Sequence, residues 1–206
     1  MTERVMTPEQ VVDLFKEKFG PGIQEIRVTE RKEGAKKRPN YNIWISLDRE
    51  LLKPAIRELI SLQFPHFSVI SGIDTGDAVR LIYHLTIFYG HPGKECTVSL
   101  GVDLPKSDLT IPTISDLIPG AVFSEREKQE FLGVRVVDIP DGRRLFLPDD
   151  FPKGVYPWRK DETGIPESMI KNLYLSRRPT DRPSPQAEAK EMCPIEGESS
   201  GEEGPP

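Results

Sequence analysis

The chain has 206 residues, 36% hydrophobic and 30% charged, with a formal net charge of −5. That length suits one domain with extensions, and the acidic balance excludes a general nucleic-acid binder, which needs a basic field. No run approaches the roughly 18 apolar residues of a membrane span, and the N-terminal Met-Thr-Glu-Arg-Val-Met-Thr lacks an apolar signal core, so a cytoplasmic location is expected.

Thr7-Pro8-Glu9-Gln10 predicts a helix start, with Thr7 as N-cap, Pro8 at the first helical position and Gln10 completing a capping box. Val11, Phe15 and Phe19 then share one face, and Gly20-Pro21-Gly22 ends the helix. A first strand is expected over residues 23–29, followed by a charged hairpin tip over residues 30–40. The basic cluster in that tip (Arg31, Lys32, Lys36, Lys37, Arg38) reads first as a solvated loop, and alternatively as a contact for an acidic partner or lipid headgroups. Tyr41, Ile43, Ile45 and Leu47 alternate with polar neighbours and Trp44, which predicts a half-buried strand. A second helix carries Leu52, Ile56, Leu59 and Ile60; because proline is tolerated only in the first turn, its start is placed near Pro54. Residues 67–73 make a third strand, and Asp74-Thr75-Gly76-Asp77 a tight turn.

Two further strands are the clearest. Val79, Leu81, Tyr83, Leu85, Ile87 and Tyr89 fall on one face; Cys96, Val98, Leu100, Val102 and Leu104 alternate in the same way. The Gly-His-Pro-Gly connector at 90–93 makes them antiparallel neighbours. The first half is therefore α+β, with two helices on a mainly antiparallel sheet. His66, His84 and His91 have no second ligand at metal-binding spacing, and Cys96 and Cys193 lie far apart with no metal pattern.

From Pro105 the alternation disappears. A short helical turn is expected at Ser115–Ile118, then a helix over residues 121–132 with Gly133 at its C-cap. Arg126 and Glu130 are spaced to pair along it, and Glu125-Arg126-Glu127 reads on its own as a solvated face. Residues 134–161 hold many large apolar side chains, yet prolines 140, 148, 152 and 157 prevent a helix and damage any central strand. An extended ribbon is expected. Ordering it costs about 1–2 kcal/mol per residue, while burying a large apolar side chain returns about 1.5–3 kcal/mol. A ribbon of that length therefore needs a broad surface beneath it, and a partner protein supplies one. Three parts result: an α+β domain (1–112), a helix with a partner-wrapping Pro-rich extended segment (113–178), and a disordered acidic tail (179–206).

No phosphate loop, nucleophile elbow or zinc-binding helix is present. Asp149-Asp150 is the one conspicuous acidic pair. It reads either as a pairing site for Arg143 or Arg144, or as half of a magnesium-assisted phosphate site in an independent small enzyme.

Glu125-Arg126-Glu127-x-x-Glu130-Phe131-Leu132-Gly133, Pro140-Asp141-x-Arg143-Arg144-Leu145-x-Leu147-Pro148-Asp149-Asp150-Phe151 and Tyr156-Pro157-x-Arg159-Lys160-Asp161 together resemble the signature of the NADH dehydrogenase 30 kDa-type subunit of respiratory complex I. Ile139 stands where the respiratory subunits usually have His, and Phe151 where they often have Trp. These departures are more similar to the homologous subunit of archaeal energy-converting hydrogenases or sulfur reductases than to a quinone-reducing NADH dehydrogenase, the alternative.

The resemblance implies a peripheral-arm subunit with no catalytic site, metal or cofactor of its own, on the cytoplasmic face of the cell membrane. It implies as partners a hydrogenase-like large subunit and a small iron–sulfur subunit, with the membrane arm reached through them. Iron–sulfur clusters are expected in those partners, and nickel–iron only if the complex is a hydrogenase. The residues expected at the interface are Glu125, Arg126, Glu127, Arg143, Arg144, Phe146, Asp149, Asp150, Tyr156, Trp158 and Arg159.

Overall fold

The computed structural model describes residues 5–169, apart from Lys36 and Pro92. The chain opens as predicted: helix α1 spans Pro8–Phe19, Thr7 Oγ1 accepts from Gln10 N, and the Gln10 side chain accepts from Thr7 N. Val11 and Phe15 are fully buried. Strands β1 (Ile23–Glu33) and β2 (Arg38–Leu47) then form a hairpin longer than expected. The charged stretch read as a loop is mostly strand, paired from Lys32↔Pro39 back to Ile23↔Leu47, with only the tip turning. A ladder of backbone hydrogen bonds carries such a ribbon even where its side chains are solvated.

Asp48 precedes a 3-10 turn (Arg49–Leu51) that runs into helix α2, Leu52–Leu62. The helix proper begins two residues before the predicted Pro54, which leaves the proline in the first turn, where its missing N–H costs nothing. Strands β3 (His66–Asp74), β4 (Ala78–Ile87) and β5 (Cys96–Pro105) complete a five-stranded sheet of order β1-β2-β5-β4-β3. All its pairs are antiparallel except β2 with β5.

The inward faces of β4 and β5 are buried from Val79 to Ile87 and from Cys96 to Leu104, as the alternation required. Tyr89 is the exception. Phe88 takes φ +59°, which reverses the alternation, so Phe88 is fully buried and Tyr89 exposed. Burial also pushes the Cys96 thiol up to about 12. The three predicted histidines are a strand residue (His66), a turn residue (His91) and His84, whose ring nitrogens contact the Ser71 and Ser99 hydroxyls on the opposite sheet face.

After β5 the chain forms a three-residue strand, β6 (Thr110–Pro112), then helix α3 (Ala121–Leu132) and a second short strand, β7 (Arg135–Val137), parallel to β6. This small sheet corrects the expectation that residues 134 onward lack strand structure. Val134 and Val136 are buried, and the first damaging proline, Pro140, comes only after it. The core is one cluster running from α1 through the large sheet to α3 and β7. α3 packs over β3 where Gly72 leaves room: a Cβ there would lie 2.3 Å from Leu132 Cδ1. The described residues up to Pro166 form one compact unit, so the boundary drawn at 112/113 falls inside it. Beyond it a 3-10 turn, Glu167–Met169, is described. Cys193 and the expected acidic tail lie outside the described residues.

Candidate partner-docking site

Helix α3 inverts the usual amphipathic arrangement. Its buried side chains include Glu125, Arg126, Lys128 and Glu130, while Phe123 is 58% exposed. The reason lies in what surrounds it. Two irregular segments without ladder partners run alongside, and their backbone groups need hydrogen bonds.

Three of these four buried charges answer one of these segments. Glu125 accepts from Thr113 Oγ1 and from Ile114 N, both at 2.6 Å. Burial raises its pKa, against those two hydrogen bonds, which lower it. Arg126 donates to the carbonyls of Arg143 (2.7 Å) and Arg144 (2.8 Å) and lies 3.4 Å from Asp141. Glu130 Oε2 accepts from the amides of Phe146 and Leu147, both at 2.9 Å. The expected Arg126–Glu130 pair does not form, because both side chains are taken by the ribbon. Lys128 pairs with Glu127 and places its ammonium 4.6 Å from the Trp158 ring centre.

The ribbon then turns over the end of α3. Gly133 takes φ +69°, and its amide donates to Gln129 O while the Val134 amide donates to Lys128 O. The Tyr156 ring rests on Gly133, 2.7–3.0 Å from where a Cβ would stand. Trp158 N donates to Phe131 O, and Arg159 Nε donates to Leu132 O at 2.7 Å, so the ribbon supplies donors to carbonyls that the helix end leaves open. The Trp158 ring stacks on Phe131 at 4.6 Å, and Phe146 meets the same ring at 5.9 Å.

A last clip joins the ribbon to the sheet: Asp74 accepts from Lys160 N and contacts Lys106 Nζ, both at 2.9 Å, and Lys106 also pairs with Asp161. Burial pushes the Asp74 carboxyl up, but the Lys160 and Gly76 amides and the Lys106 ammonium outweigh it and the net shift is downward. Asp161 is held far below the ordinary range by Lys106 first and by Thr163.

The eleven residues expected at an interface therefore divide. Glu125, Arg126 and Arg159 are turned inward and used by this chain itself, because irregular backbone beside α3 needs their charges. Glu127, Arg144 and Tyr156 are half-buried. Arg143, Phe146, Asp149, Asp150 and Trp158 face outward, with Phe146 60% and Trp158 41% exposed. Arg143 grips Asp141 with two bonds of 2.9 Å, and Arg144 holds the carbonyls of Pro148 and Phe151. Asp149 and Asp150 are thus not joined to either arginine, and the four groups form no phosphate-shaped cluster. Among the described residues, no three His, Cys, Asp or Glu side chains gather as a metal site, and no helix is long and apolar enough to cross a membrane. Lys106 and Lys128 have no role in the sequence reading, Asp74 enters it only as a turn residue, and Glu130 only as a motif residue spaced to pair with Arg126. Asp74 and Lys106 flank strands far from the motif, and charged residues in a helix read as solvated by default.

The family model of the respiratory-chain NADH dehydrogenase 30 kDa subunit matches residues 45–167. The chain belongs to this family. It is 38% identical over 176 residues to membrane-bound hydrogenase subunit beta of Pyrococcus furiosus, covering 82% of this chain and 96% of that one. It is also 36% identical over 113 residues to the C/D subunit of NADH-quinone oxidoreductase from Phocaeicola vulgatus, where 54% of this chain corresponds to 20% of a much longer one. Two solved structures share the fold: a trypsin-resistant fragment (1–134) of Nqo5 (TM-score 0.51, 24% identity, 66% of this chain and 99% of that chain) and a chain of the archaeal membrane-bound sulfane sulfur reductase complex (TM-score 0.58, 20% identity, 94% and 95%).

Proposed function

We propose that this 30 kDa-family chain is a non-catalytic peripheral subunit of a complex-I-like membrane-bound hydrogenase or sulfur reductase. In this reading it sits on the cytoplasmic face and holds the hydrogenase-like large subunit in place. The observation that carries the reading is the Phe131–Phe146–Trp158 cluster, an aromatic patch where the ribbon is held on α3 by Glu130 through the Phe146 and Leu147 amides. Phe146 and Trp158 pack on Phe131 with one face and leave 60% and 41% of their surface open, and aromatic anchors of this kind dominate protein interfaces.

Two comparisons support the reading. In the C/D relative the region similar to this chain is continuous with a much larger polypeptide, so that there the module and its neighbour are tethered in one molecule. The solved Nqo5 fragment is named as trypsin-resistant and corresponds to 66% of this chain, so a third of this chain has no counterpart in that protease-resistant unit. Iron–sulfur clusters, and nickel–iron in a hydrogenase, would belong to the partner subunits, and coupling to ion movement to the membrane arm.

Affinity purification of the tagged chain from detergent-solubilised membranes tests this, with mass spectrometry of what accompanies it. A large hydrogenase-like subunit and an iron–sulfur subunit are expected in stoichiometric amounts. Recovery of the chain alone, from membranes in which it is expressed at native level, refutes the proposal. Limited trypsinolysis gives a second reading: cleavage at Arg143, Lys153 or Lys160 should slow when the large subunit is present.

A further inference from the structure

Beside α3 the ribbon lines an open cleft of about 270 Å³, with Glu130, Gln129, Arg144, Lys153 and Tyr156 among the residues of its wall. Glu130 is 8% exposed, and only its Oε2 is used, by the Phe146 and Leu147 amides. Oε1 is shut off from water and has no hydrogen-bond partner among the described residues. A buried carboxylate in this state is anomalous, because buried charges are paired or fully hydrogen-bonded. Of the cations nearby in sequence, Arg126 is engaged with backbone carbonyls and Lys128 with Glu127, while Arg144 stands in the cleft wall with its Nη1 held by the Pro148 and Phe151 carbonyls. Lys153 is exposed and forms no ion pair among the described residues. A single buried water needs about 10–15 Å³ on the same measure, so the cleft is many times larger than one water requires.

We propose that this cleft receives one cationic side chain of the partner subunit, with its guanidinium or ammonium group seated on Glu130 Oε1. An acceptor-only oxygen with a negative charge selects a donor carrying positive charge, and arginine suits it best because it stays ionised when buried and brings several donors. Since Oε1 is closed to solvent in the free chain, seating the cation requires the ribbon wall to shift. Insertion is therefore coupled to movement of residues 142–156. The proposal rests on the docking role given above and adds to it a specific charge recognised in the partner.

The test has two arms. In the first, the full-length chain is titrated with N-ethylguanidinium chloride at low millimolar concentration and followed by amide NMR, with tetramethylammonium chloride as the ionic-strength control. Saturable shifts at Glu130, Phe146, Leu147 and Gly154 are expected in the wild type and none in Glu130→Gln, which keeps the acceptor for the two amides. No shifts, equal shifts in the variant, or saturation only after Lys153→Ala would each overturn the assignment.

In the second arm, Glu130→Gln is compared with wild type for assembly into the membrane complex. A loss of affinity of at least about tenfold is expected. Equal assembly of variant and wild type refutes the partner cation. Failure of the wild type itself to assemble refutes the docking role instead, and the probe titration still reads the cleft.

Discussion

Gly133→Ala tests whether the ribbon is held by the end of α3. At φ +69° an alanine costs about 1–2 kcal/mol in backbone strain. Its Cβ would also stand 2.7 Å from Tyr156 Cζ and 2.8 Å from Cε2, a steric overlap. Overpacking of this sort costs about 1–3 kcal/mol, and because Tyr156 belongs to a ribbon that can lift, the lower end applies. Lifting the ribbon relieves the overlap but not the strain at Gly133, so the open population of the ribbon rises by the overlap alone, about fivefold for about 1 kcal/mol at 1.36 kcal/mol per tenfold.

The assay is amide hydrogen exchange at Trp158, whose N–H donates to Phe131 O and is released when the ribbon lifts. Tyr156→Ala in the Gly133→Ala background removes the overlap, so part of the increase should be recovered. An exchange rate within threefold of wild type for Gly133→Ala, or no recovery in the double variant, refutes the account of how the ribbon is seated.

Three further outcomes follow from the same geometry. Phe146→Ala should change the melting of the free chain by no more than about 0.5 kcal/mol, because the ring is 60% exposed, yet weaken partner binding by about 2 kcal/mol or more as a central anchor; calorimetric titration against the large subunit separates the two. The Asp161 carboxyl is depressed in the folded state, so its contribution is present above the unfolded value of about 3.9 and is lost as pH falls below it. In a Trp44→Phe background the Trp158 fluorescence should therefore hold down to about pH 4 and change only as the pH falls further, and Asp161→Asn should at least halve that change; an identical titration contradicts it. With its thiol pushed up to about 12 and its side chain buried, Cys96 in a Cys193→Ser chain should resist a disulfide reagent at pH 8 until denaturant is added.

The parts of the fold legible in sequence were those in which one residue decides locally. Thr7 and Gln10 cap a helix, Gly133 ends one, and the alternation from Val79 and from Cys96 sets two strands, because these signals act within a turn or one pleat. The parts that were not legible depend on distant groups. β6 and β7 are three residues each and pair Thr110 with Arg135, too short for periodicity and too far apart for a turn signal. Glu125 and Glu130 read as solvated because nothing in a charged helix announces that bare backbone will lie against it. The motif that carries the family resemblance was visible, but Glu125, Arg126, Glu130 and Arg159 within it bind this chain's own backbone; Arg143, Asp149 and Asp150 are what it leaves facing outward, with Phe146 and Trp158 at its variable positions beside them.

The one parallel pairing in the large sheet has a consequence during synthesis. Tyr41 on β2 waits for Cys96 on β5, a separation of 55 residues, and until then β2 has only β1 beside it. At ribosomal rates of about 5–20 residues per second that delay is about 3–11 s. Throughout it, the free edge of Ile43, Ile45 and Leu47 is open to any other extended chain. Newly made copies are therefore most prone to stick to one another before residue 101 has emerged, and a slower ribosome, not a weaker native state, would be the condition that lowers soluble yield.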